Sequence, residues 1–134
     1  MTSSNTYSKQ EKLKSRKALE QLFAKGKSFS VFPIKVFYTV SADLNGVHAG
    51  VGVSSRIFKK AHDRNRVKRL LREVYRTQKQ PLYLAVANHQ QLNVFFLYIG
   101  KELPVFSELQ VAMGKTLEKL IRKINEPTLN VQQL

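Results

Sequence analysis

Residues 56–76 read Arg56-Ile57-Phe58-Lys59-Lys60-Ala61-His62-Asp63-Arg64-Asn65-Arg66-Val67-Lys68-Arg69-Leu70-Leu71-Arg72-Glu73-Val74-Tyr75-Arg76, and two patterns overlap in them. Nine of these residues are basic and two are acidic, which leaves +7, half of the chain's formal net charge of +14. From about Lys60 to Arg76 the spacing predicts a helix. At 100° per residue, Val67, Leu70, Leu71 and Val74 fall within an arc of about 100°. A stripe that narrow docks on one surface, here a sheet. Arg64, Lys68, Arg72 and Arg76 turn away from it, and Arg66 and Arg69 take up the rest of the circumference. Few acids interleave to form i,i+4 pairs, so the cations are left for an external partner. Guanidinium planes grip phosphate oxygens bidentately and stack on bases. Asn65 brings both a donor and an acceptor, suited to tying the helix start to its neighbours.

The sheet is found on either side of this helix. Ile34, Val36, Tyr38 and Val40 alternate with Lys35, Phe37 and Thr39, which predicts a strand, with a shorter extended piece around Phe29 to Phe32 before it. Asp43-Leu44-Asn45-Gly46 supplies turn residues, and Val47 to Val53 reads as the return strand of a hairpin. Asn93 to Ile99 is apolar and aromatic enough for a buried strand. Between them, Thr77 to Gln91 is ambiguous: Pro81 argues for a break, while Leu82, Leu84, Ala85 and Ala87 allow helix. A last helix starts near Phe106 or Ser107 and carries Leu109, Met113, Leu117, Leu120, Ile121 and Ile124 at helical spacing, with Pro127 ending it. At the other end, Ser8-Lys9-Gln10-Glu11 has capping-box spacing, and a short helix follows with Leu19, Leu22 and Phe23 on one face and Gly26 at its close. The expectation is an α+β fold, a small sandwich of helices on a central mixed sheet of about four strands, in the order α-β-β-β-α-β-α. One domain is expected over 1–134, with 1–7 and 126–134 flexible.

Composition narrows the function. There are no cysteines among the 134 residues, which excludes disulfide frameworks, thiolate metal sites and a cysteine nucleophile, and suits a cytoplasmic protein. A pI of about 10.3 with 43% hydrophobic residues describes a folded polycation rather than a disordered tail. Such a chain repels itself, and a polyanion is the standing reason to keep that repulsion. The basic N-terminus holds no secretory apolar run, and the most apolar stretch, Leu92 to Gly100, is roughly half the length that crosses a bilayer. His48, His62 and His89 form no metal-spaced set, and Gly50-Val51-Gly52 lacks the rest of a dinucleotide fingerprint. No catalytic or metal-binding residue is expected of the protein itself.

The block Arg64-Asn65-Arg66-Val67-Lys68-Arg69-Leu70-Leu71-Arg72-Glu73 resembles the signature of the bacterial ribonuclease P protein family. Val53 to Asp63 resembles the family's strand end and loop before that helix. Leu13-Lys14 and Leu22-Phe23-Ala24-Lys25-Gly26 resemble its first helix, and Val36-Phe37-Tyr38-Thr39 its first strand. The likeness runs from Leu13 to Arg76 in register and more loosely through the last strand and helix. It implies the RNA-binding protein subunit of an endoribonuclease whose catalytic RNA, with Mg²⁺, removes the 5′ leader from precursor tRNA. It further implies a left-handed β-α-β crossover, a basic surface and an aromatic cleft for the single-stranded leader. Arg56, Lys59, Lys60, Arg64, Asn65, Arg66, Lys68, Arg69 and Arg72 fall in the first surface, and Phe23 and Tyr38 in the second. The protein would bind no cofactor; the partners are the catalytic RNA and precursor tRNA. Leu19 stands where many members carry a second cleft aromatic, Ser55 where Lys or Pro is frequent, and no aromatic follows Pro127. A general RNA-binding protein of ribosomal type, without a role in tRNA processing, is the alternative that composition alone leaves open.

Overall fold

The computed structural model describes residue 12 and residues 16–42, 46–86 and 90–125. Eight elements follow in chain order: α1 Arg16–Lys25, β1 Lys27–Val31, β2 Ile34–Ser41, β3 Gly46–Val53, α2 Ala61–Arg76, α3 Gln80–Ala85, β4 Gln91–Tyr98 and α4 Phe106–Asn125. The four strands form one mixed sheet in the order β1-β2-β4-β3. β1 with β2 and β2 with β4 are antiparallel, and β3 with β4 is parallel.

That order corrects the hairpin expected between β2 and β3. β4 lies between them, and the hairpin that does form joins β1 to β2 across Phe32-Pro33, whose peptide bond is cis. Every second residue of β4 is fully or almost fully buried (Leu92, Val94, Phe96 and Tyr98), and a strand so apolar gains most from having a neighbour on each side. A parallel pair needs a long crossover, and α2 with α3 supplies it from β3 to β4.

The strands alternate as their sequences do. Ile34, Val36 and Tyr38 of β2 and Val47 and Ala49 of β3 join the β4 set on one buried face. Onto this face α2 lays Val67, Leu71 and Val74, with Leu70 partly buried beside them. The stripe also extends to Tyr75, which sequence reasoning left out; its ring centroid lies 5.3 Å from that of Phe96. α4 adds Leu109, Ala112, Met113, Leu117 and Leu120, while Ile121 and Ile124 pack at the margin. Thr116 is buried among them because its hydroxyl donates to the Ala112 carbonyl at 2.7 Å.

The ambiguous stretch after α2 is a turn followed by α3. Pro81 occupies the first turn of α3, where its missing N–H costs nothing. It therefore both separates α3 from α2 and opens it. Gly26 closes α1 by close approach: its N–H donates to the Leu22 carbonyl at 2.8 Å, and a Cβ there would collide with that oxygen. The capping-box residues Ser8 to Glu11, the turn residues Asp43 to Asn45, His89 and Pro127 lie outside the described residues.

Candidate nucleic-acid interface

The basic surface is built on a loop that is pinned from inside. After β3, the Ser54 carbonyl accepts from the Phe58 N–H at 3.1 Å, and the Ser54 hydroxyl accepts from the Arg56 N–H at 3.1 Å. Phe58 is buried and its ring sits 6.0 Å from that of Tyr98. Arg64, in the first turn of α2, reaches back and donates from Nη1 to the carbonyls of Phe58 and Lys59, at 2.9 and 2.8 Å. The tie between helix start and loop is thus made by Arg64. Asn65, expected to contribute it, is exposed.

With the loop fixed this way, Arg56, Lys59 and Lys60 are exposed, and so are Arg66, Arg69 and Arg72 along α2; Lys68 and Arg64 are half-buried. Among the described residues, the acid–base pairs within 4 Å are Arg76 with Glu73, at 2.6 Å, and His62 with Asp63, at 3.7 Å. The Arg76 hydrogen bond holds the Glu73 carboxyl below its ordinary value, and Glu73 in return raises Arg76. The cations from Arg56 to Arg72 have no such partner. Apart from Arg64, which is turned to the loop carbonyls, they form an outward ridge whose mutual repulsion an approaching polyanion relieves.

A second surface lies on the other face of the sheet. Phe37 and Phe95 are cross-strand partners there, and α1 brings Phe23 down onto both. The Phe23 ring meets Phe37 at 5.0 Å and 78°, and Phe95 at 5.3 Å and 90°, while remaining 49% exposed. Lys35 carries its ammonium 5.2 Å above the Phe37 ring. Gly50 is the β3 partner of Phe95, and at Gly52 a Cβ would come 2.5 Å from the Phe95 Cζ, so β3 gives way to that ring.

Tyr38 does not belong to this surface. It is 5% exposed, on the buried face with Ile34 and Val36, its ring 6.1 Å from that of Phe29. The structure therefore brings Phe23 together with Phe37 and Phe95, not with Tyr38. The period-two alternation of β2 already held this signal, since it set Tyr38 with the apolar residues and Phe37 with Lys35. Phe95 was hidden in a continuous apolar run, where neither face can be told from the sequence. His62 is exposed and apart from both surfaces' packing, and no cluster of three His, Cys, Asp or Glu able to hold a metal occurs among the described residues. Among these residues, too, no helix is long and apolar enough to cross a membrane.

A cationic helix docked on a mixed sheet, with an aromatic platform on the sheet's far side, defines a small α+β protein of the nucleic-acid-binding class. The chain belongs to the ribonuclease P protein family: the family profile described as Ribonuclease P matches residues 7–122. A ribonuclease P protein component from Porphyromonas gingivalis is 34% identical, over 96% of this chain and 98% of its own length. One from Chlorobium phaeobacteroides is 33% identical, over 87% and 88%. The fold is that of the ribonuclease P protein of Staphylococcus aureus, with a TM-score of 0.62 at 17% identity over 82% of this chain and 94% of that one. The Thermotoga maritima protein superposes with a TM-score of 0.60 at 22% identity, over 81% and 96%.

Proposed function

We propose that this chain is the RNA-binding protein subunit of ribonuclease P, assisting a catalytic RNA in removing the 5′ leader from precursor tRNA. The hydrolysis belongs to the RNA and its Mg²⁺. The protein's own residues bind and position. The observation that carries this reading is the ridge of cations from Arg56 to Arg72 without acid partners, on a chain of this family.

The two surfaces divide the work. Arg56, Lys59, Lys60, Arg66, Lys68, Arg69 and Arg72 neutralise phosphates of the folded catalytic RNA, while Arg64 holds the loop that presents the first three. Asn65 is exposed beside them and serves as a polar contact to the same RNA. Phe23, Phe37 and Phe95, with Lys35 beside them, take the single-stranded leader by stacking and backbone attraction. Each stacked base contributes about 1–3 kcal/mol. α2 and the platform lie on opposite faces of the sheet, so the catalytic RNA and the leader engage the protein together without competing. The work is done in the cytoplasm.

Reconstitution tests this. A bacterial catalytic RNA at low Mg²⁺, cutting precursor tRNA with and without the chain, is expected to gain cleavage when the chain is added. RNA binding without any gain would favour a general RNA-binding protein instead.

A further inference from the structure

The row that holds the aromatic platform continues to an edge of the sheet. Phe95 of β4 is opposite Phe37 of β2, and Phe37 is opposite Ser28 of β1. β1 is the last strand on that side, so Ser28 lies two strand spacings from Phe95, about 10 Å. Ser28 and Ser30 are exposed there and carry no bulk to stop a strand of RNA leaving the platform. On the opposite side, β3 is already engaged at Ala49 by a bridge from Lys12.

Past the β1 edge stands a second group of cations. α4 packs along β1 and β2, and at 100° per residue Lys115, Lys119, Arg122 and Lys123 fall within an arc of about 100°. Glu118 lies outside that arc, and Glu108 shares it about 10 Å nearer the helix start than Lys115. Lys119 and Lys123 both reach over Phe29, the neighbour of Ser28 in β1, with ammonium groups 5.2 and 5.9 Å from the ring centroid. Like charges one helical turn apart repel, yet the ring draws both to one place. Among the described residues neither has a carboxylate within 4 Å. A pair held together in this way is a preformed seat for phosphate oxygens.

We infer that Lys119 and Lys123 bind phosphates of the leader nucleotides that follow the stacked segment over the β1 edge, away from the tRNA. This rests on the proposed seating of the leader on the platform and extends its path onto α4. A single strand lying on the platform arrives at this edge, whereas the proposed surface for the folded catalytic RNA is on α2, which packs over β3 and β4 toward the other edge.

The test uses the reconstituted holoenzyme and precursor tRNAs whose leaders are lengthened one nucleotide at a time. Wild type is expected to gain affinity in two stages, first as the leader covers the platform and again as it passes the β1 edge. Lys119→Gln combined with Lys123→Gln keeps the side-chain stems over Phe29 and removes both charges. It should abolish the second gain, roughly tenfold at low salt, and lower the salt slope for long leaders by about 1.4, the share of two single-strand phosphates. Lys119→Arg combined with Lys123→Arg should retain both stages. Unchanged long-leader affinity in the glutamine double variant, with Phe37→Ala still penalising those leaders, would overturn the inference and leave the lysines as guards of an open strand edge. An equal loss for leaderless tRNA, or for the catalytic RNA alone, would overturn it too. If neither Phe37→Ala nor the double variant separates long leaders from short ones, the platform reading itself fails and this extension falls with it.

Discussion

Phe37 and Tyr38, adjacent in β2, lie on opposite faces of the sheet: the Phe37 ring is 5.0 Å from Phe23 on the open face, and Tyr38 is 5% exposed in the core. Two neighbouring aromatics therefore have unrelated roles. Phe37→Ala is expected to lower affinity for precursors with long leaders by about 1–3 kcal/mol and to leave leaderless tRNA unaffected. Tyr38→Ala is expected to cost about 3–5 kcal/mol of folding stability with no dependence on leader length. Binding titrations with long-leader and leaderless substrates, beside urea melts, separate the two. A leader-length effect confined to the Tyr38 variant would reverse the assignment.

Arg64 acts inward although it belongs to the basic block. Its two hydrogen bonds to the Phe58 and Lys59 carbonyls fix the loop against α2. Arg64→Ala should lower stability by about 1–2 kcal/mol. Arg66→Ala, on the exposed ridge, should stay within about 0.5 kcal/mol of wild type. Equal urea midpoints for both variants would contradict the bracing role.

Gly52 makes room for the Phe95 ring. A methyl there would lie 2.5 Å from Cζ, so the ring must move. Gly52→Ala is expected to weaken long-leader binding by about 1 kcal/mol through the displaced platform. Affinity for the catalytic RNA should be unchanged, because α2 packs on the other face. Loss of affinity for both ligands alike would argue against separate surfaces.

Tyr98 sets an alkaline limit. Burial raises its hydroxyl above the ordinary value of 10.0, and the charges of Glu102 and Glu108 add to the effect. The fold thus favours the protonated phenol, which donates to the Glu102 carbonyl at 2.8 Å. Its contribution is complete below about pH 10 and disappears as pH rises through the raised folded value. Tyr98→Phe should cost about 1 kcal/mol at neutral pH and flatten the alkaline part of the stability curve. Identical alkaline profiles for variant and wild type would rule this out.

What was legible in the sequence was local. The stripe of α2 at Val67, Leu70, Leu71 and Val74, the alternation of β2 and the spacing of α4 are periodic within one element, and each element forms where the period says. The order of strands was not legible, since β4 enters between β2 and β3 through its apolar content, a property of the whole sheet rather than of a turn. Chemistry followed the same division. The charge of the ridge can be read from residue types, but that Arg64 turns to backbone carbonyls depends on where the loop passes. The platform needed three elements, α1, β2 and β4, to meet, and only parity along β2 hinted at Phe37.

The most direct test is the salt dependence of catalytic-RNA affinity for wild type, Arg66→Ala and Arg69→Ala. Each variant is expected to bind more weakly, with the slope of log affinity against log salt reduced by roughly 0.7–0.9 and the folding midpoint unchanged. Slopes equal to wild type in both variants would mean that the exposed cations of α2 do not face the RNA.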